Sequence, residues 1–202
     1  MIQPLKLGFM ASRNATSARA IFAAIQAGEL VAQARLMVSN NAKAGALAFA
    51  SENGIPNLCI PTKADPDAAD ARLCAAMDQA GVELIVMSGY LRQLNARTLS
   101  RFAGRILNIH PGPLPMFGGQ GMYGRRVHDA VVASGAASSG ITVHVVDEEY
   151  DHGPMVAERT VALEPGETGE TLEARITALE PAFFVETLKR IANGEIRLSN
   201  FR

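Results

Sequence analysis

Short apolar segments alternate with helix-forming segments along this chain, and this alternation restricts the possible folds more than any other feature. Segment 83–88, Glu-Leu-Ile-Val-Met-Ser, has an entirely apolar interior, as in a strand that helices cover on both faces. Strands separated by helices predict an α/β fold, namely a doubly wound, mostly parallel sheet with flanking helices. The predicted strands are 5–10, 32–39, 58–60 and 83–88, and the predicted helices are 18–27, 44–53 and 67–79.

The second half of the chain has a different pattern. A strand at residues 106–110 leads into a loop rich in Pro and Gly at 111–124, and a long amphipathic helix is predicted at 168–193. Pro181 lies inside that helix and predicts a kink. No internal repeat or linker interrupts the chain, so its 202 residues predict one domain spanning 1–202. A short helix at 127–133 and strands at 140–146 and 155–163 complete the prediction.

The composition argues against several classes of function. A net charge of −1 provides no field that would gather nucleic acid or anionic lipid. No run approaches the roughly 18 apolar residues that span a bilayer, and no signal peptide is recognised. Cys59 and Cys74 lack metal-binding spacing, so we expect no metal, and a reducing cytoplasm fits their small number.

Open α/β sheets bind ligands beyond the carboxyl ends of their strands. Polar or Gly-containing residues follow the predicted strands at 11–17, 39–41, 89–94 and from 110 onward. We therefore expect the functional residues to lie in these four segments.

Asn108 and His110 lie two residues apart at the end of a predicted strand, which places both side chains on one face. Pro111 then ends the strand. An amide and an imidazole side by side can hold a carbonyl oxygen that becomes negative, and an imidazolium can pass on a proton. The alternative is a polar pair that only satisfies hydrogen bonds at a strand end.

Four acids cluster after the strand at 140–146. If one of them turns inward, its carboxylate can orient the His110 ring and favour its charged form. The alternative is a solvated acidic turn. The acids are Asp147, Glu148, Glu149 and Asp151.

The other histidines suggest less. His144 lies among apolar residues of a predicted strand, where a histidine is usually a core residue with satisfied hydrogen bonds. His128 in a short helix and His152 in a turn are expected to have no chemical role. The four histidines do not show the spacing of zinc ligands.

Two further segments could bind ligands. The first follows the first strand, where helix N–H groups and hydroxyls favour an anion, although an ordinary helix cap fits equally well. The second begins at Gly89, where Leu91 and Leu94 could wall a flat ring, although a plain strand-to-helix turn is the alternative. The first segment consists of Ser12, Arg13, Asn14, Ala15, Thr16 and Ser17.

In this order along nearly the whole chain, the motifs resemble the glycinamide ribonucleotide transformylase family and, more broadly, the formyltransferase fold. Residues 105–115, Arg-Ile-Leu-Asn-Ile-His-Pro-Gly-Pro-Leu-Pro, are similar to the family's Asn-x-His-Pro-x-x-x-Pro motif. Residues 140–144, Gly-Ile-Thr-Val-His, and 147–154, Asp-x-x-x-Asp-x-Gly-Pro, resemble its second motif. Gly-Tyr-Leu-Arg at 89–92 resembles the segment that wraps the folate pterin.

The resemblance implies transfer of a formyl group from 10-formyltetrahydrofolate, as co-substrate, to the amine of glycinamide ribonucleotide in purine biosynthesis. The implied catalytic residues are Asn108, His110 and Asp151. The implied acceptor contacts are residues 12–17, which hold a phosphate, and Glu180, which contacts the ribose. The residues implied to bind or support the folate are Leu91, Arg92, Leu94, Thr142, His144 and Asp147.

One segment departs from the family pattern. The family's phosphate loop reads Gly-x-Gly-Ser/Thr-Asn, whereas residues 13–17 here read Arg-Asn-Ala-Thr-Ser. Loss of both glycines restricts φ > 0, so we expect the phosphate site to differ in detail. Formyl transfer to an amino sugar or a modified amino acid, and hydrolysis of the donor, therefore remain alternatives. A homodimer is also left open.

Overall fold

The computed structural model describes residues 3–201, in which seven strands form one sheet in the order β3-β2-β1-β4-β5-β6-β7. Strands β1 to β5 are parallel, and β6 and β7 extend the sheet antiparallel. The predicted α/β fold with a mostly parallel sheet and flanking helices is confirmed. The strands are β1 Leu5–Met10, β2 Ala32–Ser39, β3 Asn57–Cys59, β4 Leu84–Met87, β5 Ile106–His110, β6 Ser138–Val145 and β7 Met155–Ala162.

Helices connect the strands and cover both faces of the sheet. Side chains alternate along β4, so Leu84 and Val86 join one apolar cluster while Ile85 and Met87 join the other. This two-sided burial explains why segment 83–88 is apolar throughout. The helices are α1 Thr16–Gln26, α2 Gly45–Glu52, α3 Pro66–Gln79, α4 Ala96–Arg101, α5 Arg125–Ala133 and α6 Gly169–Ala192, followed by a short 3-10 helix, Leu198–Phe201.

The long helix α6 has a clear start and end. Thr168 caps it in a reciprocal pair with Thr171, whose backbone N–H donates to the Thr168 hydroxyl over 3.3 Å. The helix continues through Pro181 and ends before Asn193. It packs against α1 and α5 and therefore covers one face of the sheet. Within residues 3–201, no helix is long and apolar enough to span a membrane.

Two predicted helix starts need correction, and one helix is missing from the prediction. Helix α1 begins at Thr16, two residues before the predicted start, and α5 begins at Arg125. Helix α4 was not predicted at all. Its first turn is capped from a distant helix, because Asp70 of α3 accepts hydrogen bonds from Arg97 N at 3.0 Å and Thr98 N at 3.3 Å. Asn95, at the N-cap position, makes no capping hydrogen bond with its own side chain, so the cap that Asp70 supplies cannot be read from the segment itself.

The order of the strands places a topological switch point between β1 and β4. The chain leaves β1 toward β2 on one side, whereas β4 leads to β5 on the other. The segments after these two strands, residues 11–15 and 88–95, therefore flank a crevice at the carboxyl edge of the sheet.

Candidate active site

The side chains of Asn108, His110 and Asp151 converge on one network together with His144. Asp151 Oδ2 lies 3.4 Å from His110 Nδ1, and Asp151 Oδ1 lies 3.5 Å from His144 Nε2. Asn108 Nδ2 lies 3.2 Å from the same His144 nitrogen. The structure thus brings together an amide, a carboxylate and two imidazoles from two distant stretches of chain.

Strand pairing places the first members of this network. Asn108 and His110 are two residues apart on β5, and the antiparallel β6 sets His144 opposite Asn108 and Thr142 opposite His110. The buried Thr142 hydroxyl donates to the Gly112 carbonyl over 2.8 Å. Thr142 therefore fixes the turn that follows His110.

Asp151 comes from the turn after β6, and its backbone is left-handed, with φ of 56°. Asp is among the residues that adopt this conformation most readily. The Gly119 N–H donates to Asp151 Oδ2 over 3.1 Å. An added Cβ on Gly118 would lie 3.0 Å from the Asp151 Cβ, so glycine allows the 111–124 loop to approach the carboxylate closely.

The carboxylate is held in its charged form. Burial alone would raise the pKa of Asp151, but hydrogen bonding with His144, the charge of His110 and the Gly119 N–H together hold it below its ordinary value. Asp151 is therefore ionised at neutral pH, as a group that stabilises positive charge on a neighbouring ring must be.

His110 behaves differently. Burial lowers the pKa of its imidazole, and the opposing effects of Asp151 and the Phe117 carbonyl do not reverse this direction. The sequence predicts that Asp151 keeps this ring charged, but only 2% of His110 is exposed, and desolvation dominates. His110 Nε2 donates to the Phe117 carbonyl over 2.8 Å, so Nδ1, which faces Asp151, is the position that can gain a proton.

His144 links the other two groups. Its Nδ1 donates to the Val145 carbonyl over 3.0 Å, because a carbonyl can only accept. A neutral ring thus accepts at Nε2 from Asn108, whereas a protonated ring donates there to Asp151. Sequence favoured a core histidine with satisfied hydrogen bonds; the structure places it both in the core and within the network.

Comparisons with known proteins bear on this geometry. The model of the formyl transferase family matches residues 5–188. The chain belongs to the formyl transferase family. It is 36% identical to the chloroplastic phosphoribosylglycinamide formyltransferase of Vigna unguiculata, over 95% of this chain but only 62% of that relative. It is 31% identical to the Haemophilus influenzae phosphoribosylglycinamide formyltransferase, over 96% of this chain and 91% of the relative.

A solved structure shows the same fold. A phosphoribosylglycinamide formyltransferase from Coxiella burnetii superposes with a TM-score of 0.86 at 33% identity, and the match covers 95% of this chain and 89% of that one. The resemblance to the formyltransferase fold, inferred from motifs, is confirmed.

The segment predicted to hold the donor is residues 89–94, which we call the donor segment. Leu91 is half exposed and Arg92 exposed, while Leu94 is buried. Gln93 Nε2 donates to the Glu148 carbonyl over 2.9 Å and so ties this segment to the acidic turn. Asp147, also predicted to contact the donor, pairs with His152 at 2.9 Å on the surface.

A cavity of about 250 Å³ lies behind the donor segment. Arg92 and Leu94 line it together with α3, but Asn108, His110 and Asp151 do not. The network residues therefore do not contribute to the wall of this cavity.

The segment predicted to hold the acceptor, residues 12–17, is called the acceptor segment. Arg13, Asn14 and Thr16 are exposed, whereas Ser12, Ala15 and Ser17 are buried. Ala15 has φ of 55°, so alanine adopts here the left-handed conformation for which the family motif has glycine. The loss of glycine therefore changes the side chains of the segment more than the handedness of its backbone.

Arg19 braces this segment from outside. Its Nε donates to the Asn14 carbonyl over 2.7 Å, and its Nη2 donates to the Gly45 carbonyl over 3.1 Å. The guanidinium also lies over the Phe49 ring, 4.4 Å from the centroid. These contacts hold the start of α1 against α2.

Glu180 lies on α6 and is half-buried. Burial raises the pKa of its carboxyl to about 7. Its predicted role as a ribose contact stays a prediction. No group of three or more His, Cys, Asp or Glu within residues 3–201 could hold a metal ion.

Sequence reasoning missed two groups that touch the network, the Phe117 carbonyl and the Gly119 N–H. Both are backbone groups, which any residue type could supply. The Gly118-Gly119 pair in a long loop was the one available signal, because adjacent glycines allow close backbone approach.

Proposed function

We propose that this chain transfers the formyl group of 10-formyltetrahydrofolate to the amine of phosphoribosylglycinamide. The observation that carries the proposal is the convergence of Asn108, His110 and Asp151: Asp151 contacts His110 directly at 3.4 Å, and His144 bridges Asp151 and Asn108 over 3.5 and 3.2 Å. Relatives named for this activity match most of the chain and support the choice of acceptor.

In the proposed reaction, the neutral acceptor amine attacks the formyl carbon, and the carbonyl oxygen becomes negative. The Asn108 amide donates to that oxygen, and a proton gained by His110 adds positive charge beside it. The C–N bond to the folate then breaks, the folate nitrogen takes up a proton, and the attacking amine loses one. Asp151 stabilises the charged ring during these transfers.

The position of Phe117 adds a requirement. His110 Nε2 now donates to the Phe117 carbonyl, and the ring is buried. For that nitrogen to reach a substrate oxygen, the carbonyl has to move away from it. We therefore propose that the 111–124 loop opens for substrate and closes again to exclude water, which would otherwise hydrolyse the formyl group.

Acceptor identity is the part of the proposal that most needs a test. The protein should be incubated with 10-formyltetrahydrofolate and a panel of amines, with phosphoribosylglycinamide first, followed by amino sugars and ornithine derivatives. We expect phosphoribosylglycinamide to gain the mass of one formyl group, and the His110→Ala variant to bind donor but transfer nothing measurable.

Two other outcomes would replace the proposal. Formylation of a different amine would favour the second candidate, which the exposed Arg13 supports because it replaces a glycine of the family motif. Release of formate without any amine would identify a hydrolase. A cytoplasmic location and a single domain spanning 1–202 stay predictions.

A further inference from the structure

Ser12 occupies an unusual position between the acceptor and donor segments. It is 6% exposed, and its hydroxyl donates to Asn40 Oδ1 over 2.6 Å. The same oxygen accepts a hydrogen bond from the backbone N–H of Leu91 over 2.9 Å. The hydroxyl of Ser12 therefore both donates and accepts a hydrogen bond within the protein, although the family resemblance assigns this residue to ligand binding.

The backbone around Ser12 makes the same connection. Ser12 N donates to the Gly89 carbonyl over 3.1 Å, and Asn41 Nδ2 donates to the Ser12 carbonyl over 3.3 Å. A second serine connects the same two parts of the chain from the other side: the hydroxyl of Ser88, which follows β4, accepts a hydrogen bond from Ala18 N of α1 over 3.2 Å. The ends of β1, β2 and β4 are thus joined at the switch point of the sheet.

We propose that Ser12 is a positioning residue that holds the donor segment at a fixed distance from the acceptor segment. This inference rests on the proposed function of the two segments. Without the hydroxyl, the Leu91 N–H loses its acceptor, and only the backbone bond from Ser12 N to the Gly89 carbonyl still ties the start of the donor segment to Ser12.

The physical reason is that transfer between two bound substrates requires them to be held at the correct distance and orientation. Reacting atoms must approach to about 3–3.5 Å before bonds form, and small displacements are costly. Asn40 strengthens the anchor, because a hydroxyl that donates to one group becomes a better acceptor for another. Ser12 makes none of the contacts that place Asn108, His110 and Asp151, so it acts on binding more than on the chemical step.

The test compares Ser12→Ala, Asn40→Ala and the double variant with the wild-type chain. We expect Ser12→Ala to raise the KM for 10-formyltetrahydrofolate about tenfold, the effect of one lost hydrogen bond, while kcat changes less than about threefold. Asn40→Ala should raise the same KM by a smaller factor. The double variant should be no worse than Ser12→Ala, because both changes act on one hydrogen-bond chain.

Ser139→Ala is the matched control. Ser139 is a buried serine, 1% exposed, whose hydroxyl has no hydrogen-bond partner within residues 3–201, and it lies on β6 five residues before His144. Its removal should leave KM and kcat unchanged. Circular dichroism and thermal melting of every variant show whether a loss of activity reflects misfolding. If Ser12→Ala does not fold, Asn40→Ala serves as the test: a raised KM for the donor supports the inference, and an unchanged KM contradicts it.

Equal KM values for folded Ser12→Ala and wild type would overturn the inference, as would additive effects in the double variant. The proposed function is tested separately by wild-type turnover. If the wild-type chain transfers no formyl group, calorimetric titration with tetrahydrofolate still measures how Ser12 affects folate binding. An equal Kd for wild type and Ser12→Ala would contradict the positioning role of Ser12.

Discussion

The two carboxylate oxygens of Asp151 have different partners. Oδ2 faces His110 and the Gly119 N–H, while Oδ1 faces His144. One buried charge thus serves two rings, and a proton gained by either ring is stabilised by the same group. This shared position explains why we expect loss of the Asp151 charge to lower turnover strongly.

Asp151→Asn keeps the size of the side chain but removes its charge. We expect kcat to fall at least about a hundredfold, the lower range for loss of a positioned acid–base group. Steady-state formyl transfer to phosphoribosylglycinamide measures it, with circular dichroism to confirm folding. Glu149→Gln, an exposed acid in the same turn, should behave as wild type. Near-normal turnover in folded Asp151→Asn would refute the assignment.

Glu180 predicts a specific pH dependence. Burial raises its pKa from 4.5 to about 7, so the folded protein prefers the neutral carboxyl. This preference contributes stability below about pH 4.5, and the contribution is lost as pH rises through 7. Glu180→Gln should therefore be more stable than wild type at pH 8.5, by about 1–2 kcal/mol after allowance for partial exposure.

Urea unfolding at pH 5.5 and pH 8.5 measures this difference in the free energy of unfolding. Glu170→Gln, at an exposed position of the same helix, is the control and should not alter the pH dependence. If wild type and Glu180→Gln lose equal stability between the two pH values, the carboxyl does not titrate as we expect.

At this scale, sequence predicted some residues and not others for clear reasons. The period of a strand was enough to put Asn108 and His110 on one face. Selecting Asp151 from four neighbouring acids needed the family resemblance, because a turn has no period. The engaged hydroxyl of Ser12 could not be foreseen, since its partners lie 28 and 79 residues away.

Among the elements, the 111–124 loop has the most direct effect on the network. Gly118 lies where a Cβ would come within 2.4 Å of the Leu114 Cδ2 and 3.0 Å of the Asp151 Cβ. Leu114 is buried and cannot easily yield. The loop and the acidic turn are therefore packed as one unit.

Gly118→Ala should displace either Leu114 or Asp151. We expect a loss of about 1–3 kcal/mol in the free energy of unfolding, as for other overpacked sites, and a fall in kcat of at least about tenfold. Chemical denaturation and steady-state kinetics measure the two effects. Met116→Ala, in the same loop but 78% exposed, is the control. Full activity in Gly118→Ala would mean that the loop relaxes without moving Asp151.

Elements with local signals were predicted well. Strands β1, β2 and β5 begin and end where sequence placed them, because each has an apolar run bounded by polar residues or proline. Helix α4 was missed because its cap, Asp70, belongs to another helix. Sequence patterns describe what a segment can do alone, and α4 depends on its neighbour.

At the scale of the whole molecule, α6 joins the early and late parts of the chain. It packs against α1 and α5, and one apolar cluster includes residues from Leu7 to Ile196. The antiparallel β6 and β7 share the same sheet as β1. Unfolding either half would therefore expose apolar surface of the other.

We expect the chain to unfold as one cooperative unit. Differential scanning calorimetry should give a single transition, with a ratio of calorimetric to van't Hoff enthalpy of about 1. Two resolved transitions, or a ratio well above that value, would show that the chain contains two independent units and would contradict the prediction of one domain.

The switch point between β1 and β4 has a consequence for how relatives of this chain diverge. The groups proposed to perform transfer belong to β5, β6 and the turn after it, while the segment proposed to bind the acceptor follows β1 and is held by backbone contacts and Ser12. Substitutions at residues 13–17 can therefore accumulate without rearranging the reacting groups. Such a division allows new amine specificities to evolve on an unchanged one-carbon chemistry.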